Sequence, residues 1–273
     1  MLAIPTKKIC AQPGILIKTK QENKNRVYAY WGWNRGYFTD SDIHFSGNGY
    51  DFTLKGVVAK DRQSEFSFAT YFGPTKFTIP QVNYGIGYYL KNNCILTLGL
   101  DHMKYVVQRP QEVTISGNID GSNLPYRGTY KGEHITLKDN LLKLEHTNGL
   151  NYLSAGIMRT DNLFKNIKTL KNKLELNLME GIGAGALIPK TDVTLLSQPR
   201  NDQYHLSGFG LSANVGLQIV SFKHFFIRGE LKTGYINLTS FVASPESGGK
   251  GSQHFFFLQP SGQFGWAFYL KRR

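Results

Sequence analysis

The sequence has few of the residues that build metal or redox sites. Its 273 residues include only two cysteines, Cys10 and Cys94, and they form no CxxC pair. A zinc site or a dithiol redox motif is therefore not expected, and the spacing predicts two unpaired thiols. Histidine and acidic residues nowhere show the spacing of metal ligands, so we expect no metal and no cofactor.

Long apolar runs and acidic residues are also scarce. No stretch of ~18 apolar residues occurs, which excludes a helical membrane span. Nineteen acidic residues stand against 32 basic ones, and the formal net charge is +13. This charge is dispersed and forms no basic patch interleaved with aromatics, so we expect no nucleic-acid partner. It fits contact with anionic phosphates, including those of lipid headgroups.

The first residues lack the apolar run that a secretory signal needs. Such a signal has a basic start, an apolar run of ~7–15 residues and a small-residue cleavage site. Ala11-Gln12 resembles the end of a cleavage site, but no adequate apolar run precedes it. We therefore divide the chain into an N-terminal segment, 1–25, as a candidate signal-peptide remnant, and a β-barrel, 26–273.

The chain is rich in alternating apolar and polar residues, the pattern of a strand with two unlike faces. The clearest example runs from Gln81 to Leu90, where the apolar row is Val82, Tyr84, Ile86, Tyr88 and Leu90. Similar rows recur in 205–220, 223–238 and 252–270. Because the polar residues of one row lower the average of the apolar residues in the other, a mean hydropathy of -0.30 is compatible with a membrane β-barrel.

Ten strands account for the alternation. They are predicted near 26–38, 49–60, 63–72, 78–90, 93–107, 141–160, 172–188, 205–220, 223–238 and 252–270. Long and short connections broadly alternate, which is typical of an outer-membrane barrel with loops at one end and turns at the other. The sequence thus predicts an all-β fold, a single antiparallel up-and-down transmembrane β-barrel of about ten strands.

A soluble β-barrel that binds an apolar ligand is the competing fold, since soluble barrels also alternate but point their apolar residues inward. Three features favour the membrane version. Several strands exceed the usual ~5–6 residues, and the polar rows are rich in Gly, Asn, Gln and charge, as a polar lumen would be. Aromatics also cluster near strand ends, as in interfacial girdles.

Four segments carry a resemblance to known proteins. They are Thr78–Gln81, Gly85–Tyr89, Gly99–Tyr105 and Glu145–Tyr152. These segments resemble those of small outer-membrane β-barrel proteins from Bacteroidota-type bacteria, over most of the chain from about residue 26. The resemblance implies the fold class and a place in the bacterial envelope. It implies little about activity, since that group is largely uncharacterised.

Charged residues on the polar rows form the first candidate site. Arg228, Glu230 and Lys232 share one face of a strand, two residues apart. Further charges predicted to point into the lumen are Asp51, Lys55, Asp101 and Glu175. Because charges in a narrow barrel must pair or stay hydrated, they either close the interior with salt bridges or line a polar path whose selectivity they tune.

His146, with Glu145 and Asn148, is the candidate catalytic group. His146 and Asn148 are predicted to share one face near a strand end. Outer-membrane lipid A deacylases are locally similar, with a His and a nucleophilic Ser two residues apart. Asn148 occupies that position here, and no obvious nucleophile remains. A lipid-active hydrolase is therefore the alternative function, and the enzyme interpretation is the less favoured one.

The leading functional prediction is a bacterial outer-membrane barrel that acts as a narrow channel or as a structural and interaction component. Its expected partners are outer-membrane lipid and lipopolysaccharide. Loop 108–140 is the longest external connection, and we predict that it contacts an envelope protein or folds over the lumen.

Overall fold

The computed structural model describes residues 25–73, 80–91, 93–163, 174–245 and 248–270. This part of the chain is almost entirely β-structure, with one four-residue helix, α1 (Phe68–Tyr71). The strands are β1 (Arg26–Asn34), β2 (Tyr37–Phe38), β3 (Ser41–Gly47), β4 (Tyr50–Val57), β5 (Ala59–Lys60), β6 (Val82–Lys91), β7 (Cys94–Met103), β8 (Val106–Val107), β9 (Gln111–Ile119), β10 (Gly128–Leu137), β11 (Leu142–Glu145), β12 (Leu150–Asn162), β13 (Leu174–Leu187), β14 (Lys190–Leu195), β15 (Asn201–Tyr204), β16 (Gly208–Ser221), β17 (Phe225–Ser244) and β18 (Gly249–Tyr269). Within the described ranges, no helix is long and apolar enough to cross a membrane.

Eight strands close a ring in the order β1, β6, β7, β12, β13, β16, β17 and β18, and β18 pairs back with β1. Every pairing is antiparallel between neighbours along the ring. Following the register from Trp31 once around the ring arrives at His254, whereas Trp31 itself pairs with Phe264. This offset of ten residues is the stagger that tilted strands need in order to close a barrel.

The ring turns its apolar rows outward. Exposed apolar side chains surround it, and we call this surface the apolar belt. Its members include Tyr84, Ile86, Leu96, Leu98, Leu153, Ile157, Ile182, Leu211, Val215, Leu217, Ile227, Leu231, Trp266 and Phe268. The inner rows hold polar side chains that are buried, among them Asn83, Asn177, Gln218, Gln259 and Gln263. The alternation predicted from the sequence is confirmed, with the apolar residues outside.

The connections differ between the two ends of the ring. At the end that carries Arg26 and Tyr269, which we call the terminal end, β6 and β7 meet after Lys91 and β16 joins β17 through 222–224. At the opposite, distal end, β17 and β18 run past the ring, and β3, β4, β9 and β10 extend the same sheet. A second sheet, in the order β15, β14, β11, β8 and β5, lies at this end as well.

A single apolar core joins the two distal sheets. Side chains that are fully buried in it come from both, for example Phe52 and Ile115 of the first sheet and Leu144 and Val193 of the second. Tyr152, on the inner row of a ring strand, belongs to the same core. The core therefore continues into the distal mouth of the ring, where burial of apolar surface stabilises the two sheets on the barrel.

The up-and-down antiparallel barrel is confirmed, but the ring has eight strands where the sequence predicts about ten. The predicted strand 49–60 corresponds to β4 and β5, which lie in the distal sheets. The predicted strand 63–72 is wrong, because it contains α1, whose start is capped by the Ser67 side chain accepting from the Thr70 amide at 3.1 Å. Alternating Phe66 and Phe68 imitate a strand there.

The prediction of unpaired thiols is wrong for Cys94, which is disulfide-bonded. Sequence spacing carries no sign of this, because it does not report which residues the fold brings together. Cys10 and segment 1–24 lie outside the described residues, as do Thr78 and Ile79.

Candidate functional site

Two basic and two acidic side chains lie close together inside the ring. Lys232 Nζ donates to Asp101 Oδ2 at 2.6 Å and lies 3.8 Å from Glu230 Oε1, and Arg228 Nη1 lies 3.8 Å from Glu230 Oε2. All four side chains are buried. The two cations and two anions compensate one another, as charges removed from water must. We call these residues the lumen charge cluster.

Aromatic rings surround the guanidinium of Arg228. Its Cζ atom lies 5.2 Å from the ring centroids of Tyr28, Tyr30 and Phe226. A cation over an aromatic face is attracted by the ring quadrupole, most strongly where water is excluded. Neither tyrosine was predicted as a site residue, although both lie on the inner row of β1, where strand parity places them beside the lumen.

Amide side chains hold the cluster from neighbouring strands. Asn214 Nδ2 donates to Glu230 Oε2 at 3.0 Å, and Gln263 Oε1 accepts from Arg228 Nη1 at 3.3 Å. Gln263 Nε2 in turn donates to Ser261 Oγ at 2.9 Å. Hydrogen bonds to charged groups are stronger than neutral ones, so Asn214 and Gln263 stabilise the cluster.

The lumen around the cluster is nearly filled. A cavity of about 30 Å³, bordered by Tyr30, Arg228 and Lys232, remains there, room for two or three water molecules at ~10–15 Å³ each. Tyr89 and Phe226 pack in an apolar cluster toward the terminal end. The distal core fills the other mouth. Among the described residues, side chains thus occupy most of the ring interior, as expected for eight strands.

Two of the residues predicted to line the lumen with this cluster lie elsewhere. Lys55 and Asp51 are exposed on β4, which belongs to the distal sheet, so their predicted inward position is wrong. The alternation separates the two faces of this segment correctly, but the segment lies outside the ring. Glu175 lies on the inner row of β13 near the terminal end, where it is half-buried and separate from the cluster.

His146 is fully buried in the distal core, at 0% exposure. Gln253 Nε2 donates to His146 Nε2 at 3.4 Å, so Nδ1 carries the proton and donates to Thr191 Oγ1 at 3.0 Å. Gln253 Oε1 accepts from Ser41 Oγ and from Tyr105 Oη, each at 3.2 Å. The imidazole thus completes a buried polar network, and protein atoms shield it from bulk water.

Glu145 and Asn148 do not join His146 in a site. Glu145 accepts from Arg62 Nη2 at 2.8 Å and lies 4.0 Å from Arg109 Nη2. Asn148 is exposed in the turn between β11 and β12. The predicted shared face of His146 and Asn148 is wrong because 146–149 is not a strand. Among the described residues, no group of three or more His, Cys, Asp or Glu is placed to hold a metal ion.

Burial lowers the pKa of His146 to about 3, far below the ordinary value of about 6.5. Between these values the unfolded chain binds a proton that the folded chain does not. The contribution of His146 to the free energy of unfolding is therefore fully present above about pH 6.5. It falls toward pH 3 by up to ~1.4 kcal/mol per pH unit. The distal sheets should become less stable in acid.

A His146→Gln variant should remove this pH dependence. Glutamine keeps hydrogen-bonding groups at the position but does not titrate. Between about pH 7 and pH 5, we expect wild type to lose ~2 kcal/mol more unfolding free energy than the variant. The difference in unfolding free energy is measured by urea unfolding, with hydrogen exchange in the distal sheets as the readout. Equal pH slopes for the two proteins would show that water reaches His146.

Comparisons with known proteins find only solved structures of low sequence identity. No family model matches the sequence, and no curated protein matches it. The outer membrane protein OprG of Pseudomonas aeruginosa is 10% identical and matches over 91% of this chain and 98% of its own, with a TM-score of 0.41. The outer membrane protein AlkL, in DMPC bilayers, is 10% identical over 96% and 99%, with a TM-score of 0.40. Ail of Yersinia pestis is 12% identical over 90% and 99%, with a TM-score of 0.31. This chain is similar to these proteins, but the values assign it neither to a family nor to a function.

Proposed function

We propose that this protein is a bacterial outer-membrane β-barrel, whose closed ring anchors the distal sheets in the membrane as a structural and interaction component of the envelope. The apolar belt carries this proposal. Leu211, Leu217 and Ile227 are each about half exposed, while the opposite rows of the same strands are polar and buried. Soluble proteins rarely expose a contiguous apolar surface of this extent, and hydrocarbon is the solvent that suits it.

A soluble binding barrel, a hydrolase and a channel each fit the geometry less well. A soluble barrel that binds an apolar ligand needs an apolar interior, whereas this ring encloses the lumen charge cluster. A lipid-active hydrolase needs His146 to face its substrate, whereas the imidazole is enclosed by Tyr105, Phe241 and Gln253. A narrow channel needs a path, whereas paired charges and two apolar clusters fill the lumen. We therefore favour a non-enzymatic anchor over a channel.

Lipid and lipopolysaccharide of the outer membrane are the proposed partners of the ring. An envelope protein is the proposed partner of 108–140, which carries strands β9 and β10. Strand β10 is largely exposed and, among the described residues, pairs only with β9. Free strand edges are common docking surfaces for extended peptides. A source in Bacteroidota-type bacteria stays a prediction from the sequence resemblance.

Reconstitution tests the proposal in a single preparation. We expect the full chain to be extracted only by detergent, to migrate differently on a gel before and after heating, and to show no conductance steps in planar bilayers. The first two results follow from the apolar belt and the closed ring, and the third follows from the filled lumen. Regular conductance steps would instead establish a channel, and solubility without detergent would contradict the membrane assignment.

A further inference from the structure

An aromatic segment outside the ring leaves its side chains uncovered. Residues 64–73, which we call the aromatic arm, follow β5 and include α1. Phe66 is 70% exposed, Phe68 76% and Phe72 51%. Three large apolar rings this exposed on one short segment are unusual on a surface that faces water. The arm holds no Lys or Arg, and Glu65 is its one charged residue.

Hydrogen bonds hold the arm against the distal end of the ring. Asp61 Oδ2, just before the arm, accepts from the Gly36 amide at 3.0 Å and from Gln63 Nε2 at 2.6 Å. Within the arm, Tyr71 Oη donates to the Ser64 carbonyl at 2.9 Å. Lys104 Nζ donates to Ser64 Oγ at 3.2 Å. The exposed rings therefore sit on a braced segment.

The arm continues the apolar belt without a gap. Beside the belt, on the outer rows of β18 and β1, Phe264 lies 5.1 Å from Trp31, and Trp31 lies 4.7 Å from Trp33. From Trp33 the contacts pass to Phe72 at 5.1 Å, measured between ring centroids. Within the arm, Phe72 stacks on Phe68 at 5.5 Å, and Phe68 lies 5.8 Å from Phe66. This series of aromatic contacts begins on the outer face of the barrel and ends on the arm.

We infer that the aromatic arm lies in the distal leaflet of the membrane and buries Phe66, Phe68 and Phe72 among lipid chains beside the ring. The inference rests on the proposed membrane location, and the continuity of the arm with the belt supports lipid as the occupant. The arm thus widens the lipid contact on one side of the barrel.

Spin labels can locate the arm in the full chain. Phe68→Cys, Leu217→Cys and Tyr204→Cys are labelled without reductant and reconstituted in phosphatidylcholine vesicles, with wild type treated identically as the background. Leu217, in the apolar belt, marks lipid, and Tyr204, 62% exposed on β15, marks water. Replacing an exposed side chain at any of these positions leaves the cores intact. Accessibility to oxygen and to a water-soluble nickel complex is then measured.

We expect the spectrum of the Phe68→Cys label to be broadened by oxygen but not by the nickel complex, like the spectrum of the Leu217→Cys label. Nickel broadening like that of the Tyr204→Cys label would overturn the inference by placing the arm in water. Protection from both reagents would also overturn it, by showing that protein covers the arm. If the Leu217→Cys label were itself broadened by nickel, the proposed membrane location would fail instead.

Discussion

Replacing Lys232 by methionine is expected to destabilise the folded protein by about 3–5 kcal/mol, because it leaves a buried carboxylate without its partner. Lys232 Nζ is 2.6 Å from Asp101 Oδ2 and 3.8 Å from Glu230 Oε1. Once it is removed, Arg228 alone faces two carboxylates. Methionine fills similar volume, so the loss reports charge and not an empty space. Urea unfolding in lipid vesicles, followed by tryptophan fluorescence, measures the change.

A second substitution separates the charge effect from packing. Adding Asp101→Asn to Lys232→Met removes the uncompensated carboxylate, and we expect much of the lost stability to return. The difference between the double variant and the sum of the single variants gives the coupling energy of the pair. A loss of only about 0–1 kcal/mol for Lys232→Met, the range of solvent-exposed ion pairs, would show that the lumen is filled with water.

Replacing Phe241 by alanine is expected to destabilise the distal sheets by about 3–5 kcal/mol, the cost of removing a buried aromatic ring from a packed core. Phe241 is 0% exposed and packs edge-on against Phe45 and His146. It also lies where a side chain at Gly251 would clash. The loss should appear as faster hydrogen exchange in β3, β4 and β9, while the barrel keeps its heat-modifiable migration.

Tyr204→Ala is the matched control for this prediction. Tyr204 is also an aromatic residue of the distal sheets, but it is mostly exposed, and its removal should change stability by less than about 0.5 kcal/mol. If Phe241→Ala also abolished heat-modifiable migration, ring and distal sheets would unfold as one unit. If exchange were unchanged, the distal core would not be the element that stabilises these sheets.

The eight ring strands could be read from the sequence because each carries a long alternation with one consistent outcome, apolar residues outside. The rule that an alternating segment is a ring strand was wrong for shorter segments. Segment 63–72 alternates but holds most of the aromatic arm, and 49–60 alternates but lies in the distal sheets. Strands β3, β9, β10, β14 and β15 lie within connections that were predicted as loops. Some of their pairings join distant segments, such as β4 with β9, which local pattern does not reveal.

The two candidate sites show the same limit. Parity identified Asp101, Arg228, Glu230 and Lys232 as members of inner rows, since side-chain direction follows from strand period alone. Parity could not tell that Lys232 pairs with Asp101, 131 residues away. For His146, the sequence suggested a strand end near a rim, whereas the packing of two distal sheets encloses it.

By itself, the sequence determined the polarity of this protein: an antiparallel barrel with apolar residues outward and polar residues inward, because the period of two is a local property of the strand. Tertiary structure decided the rest. It set eight strands in the ring, because closure depends on which edges meet and with what stagger. It also decided that the lumen is filled and the distal mouth capped, because both follow from side chains that are brought together only when the ring closes.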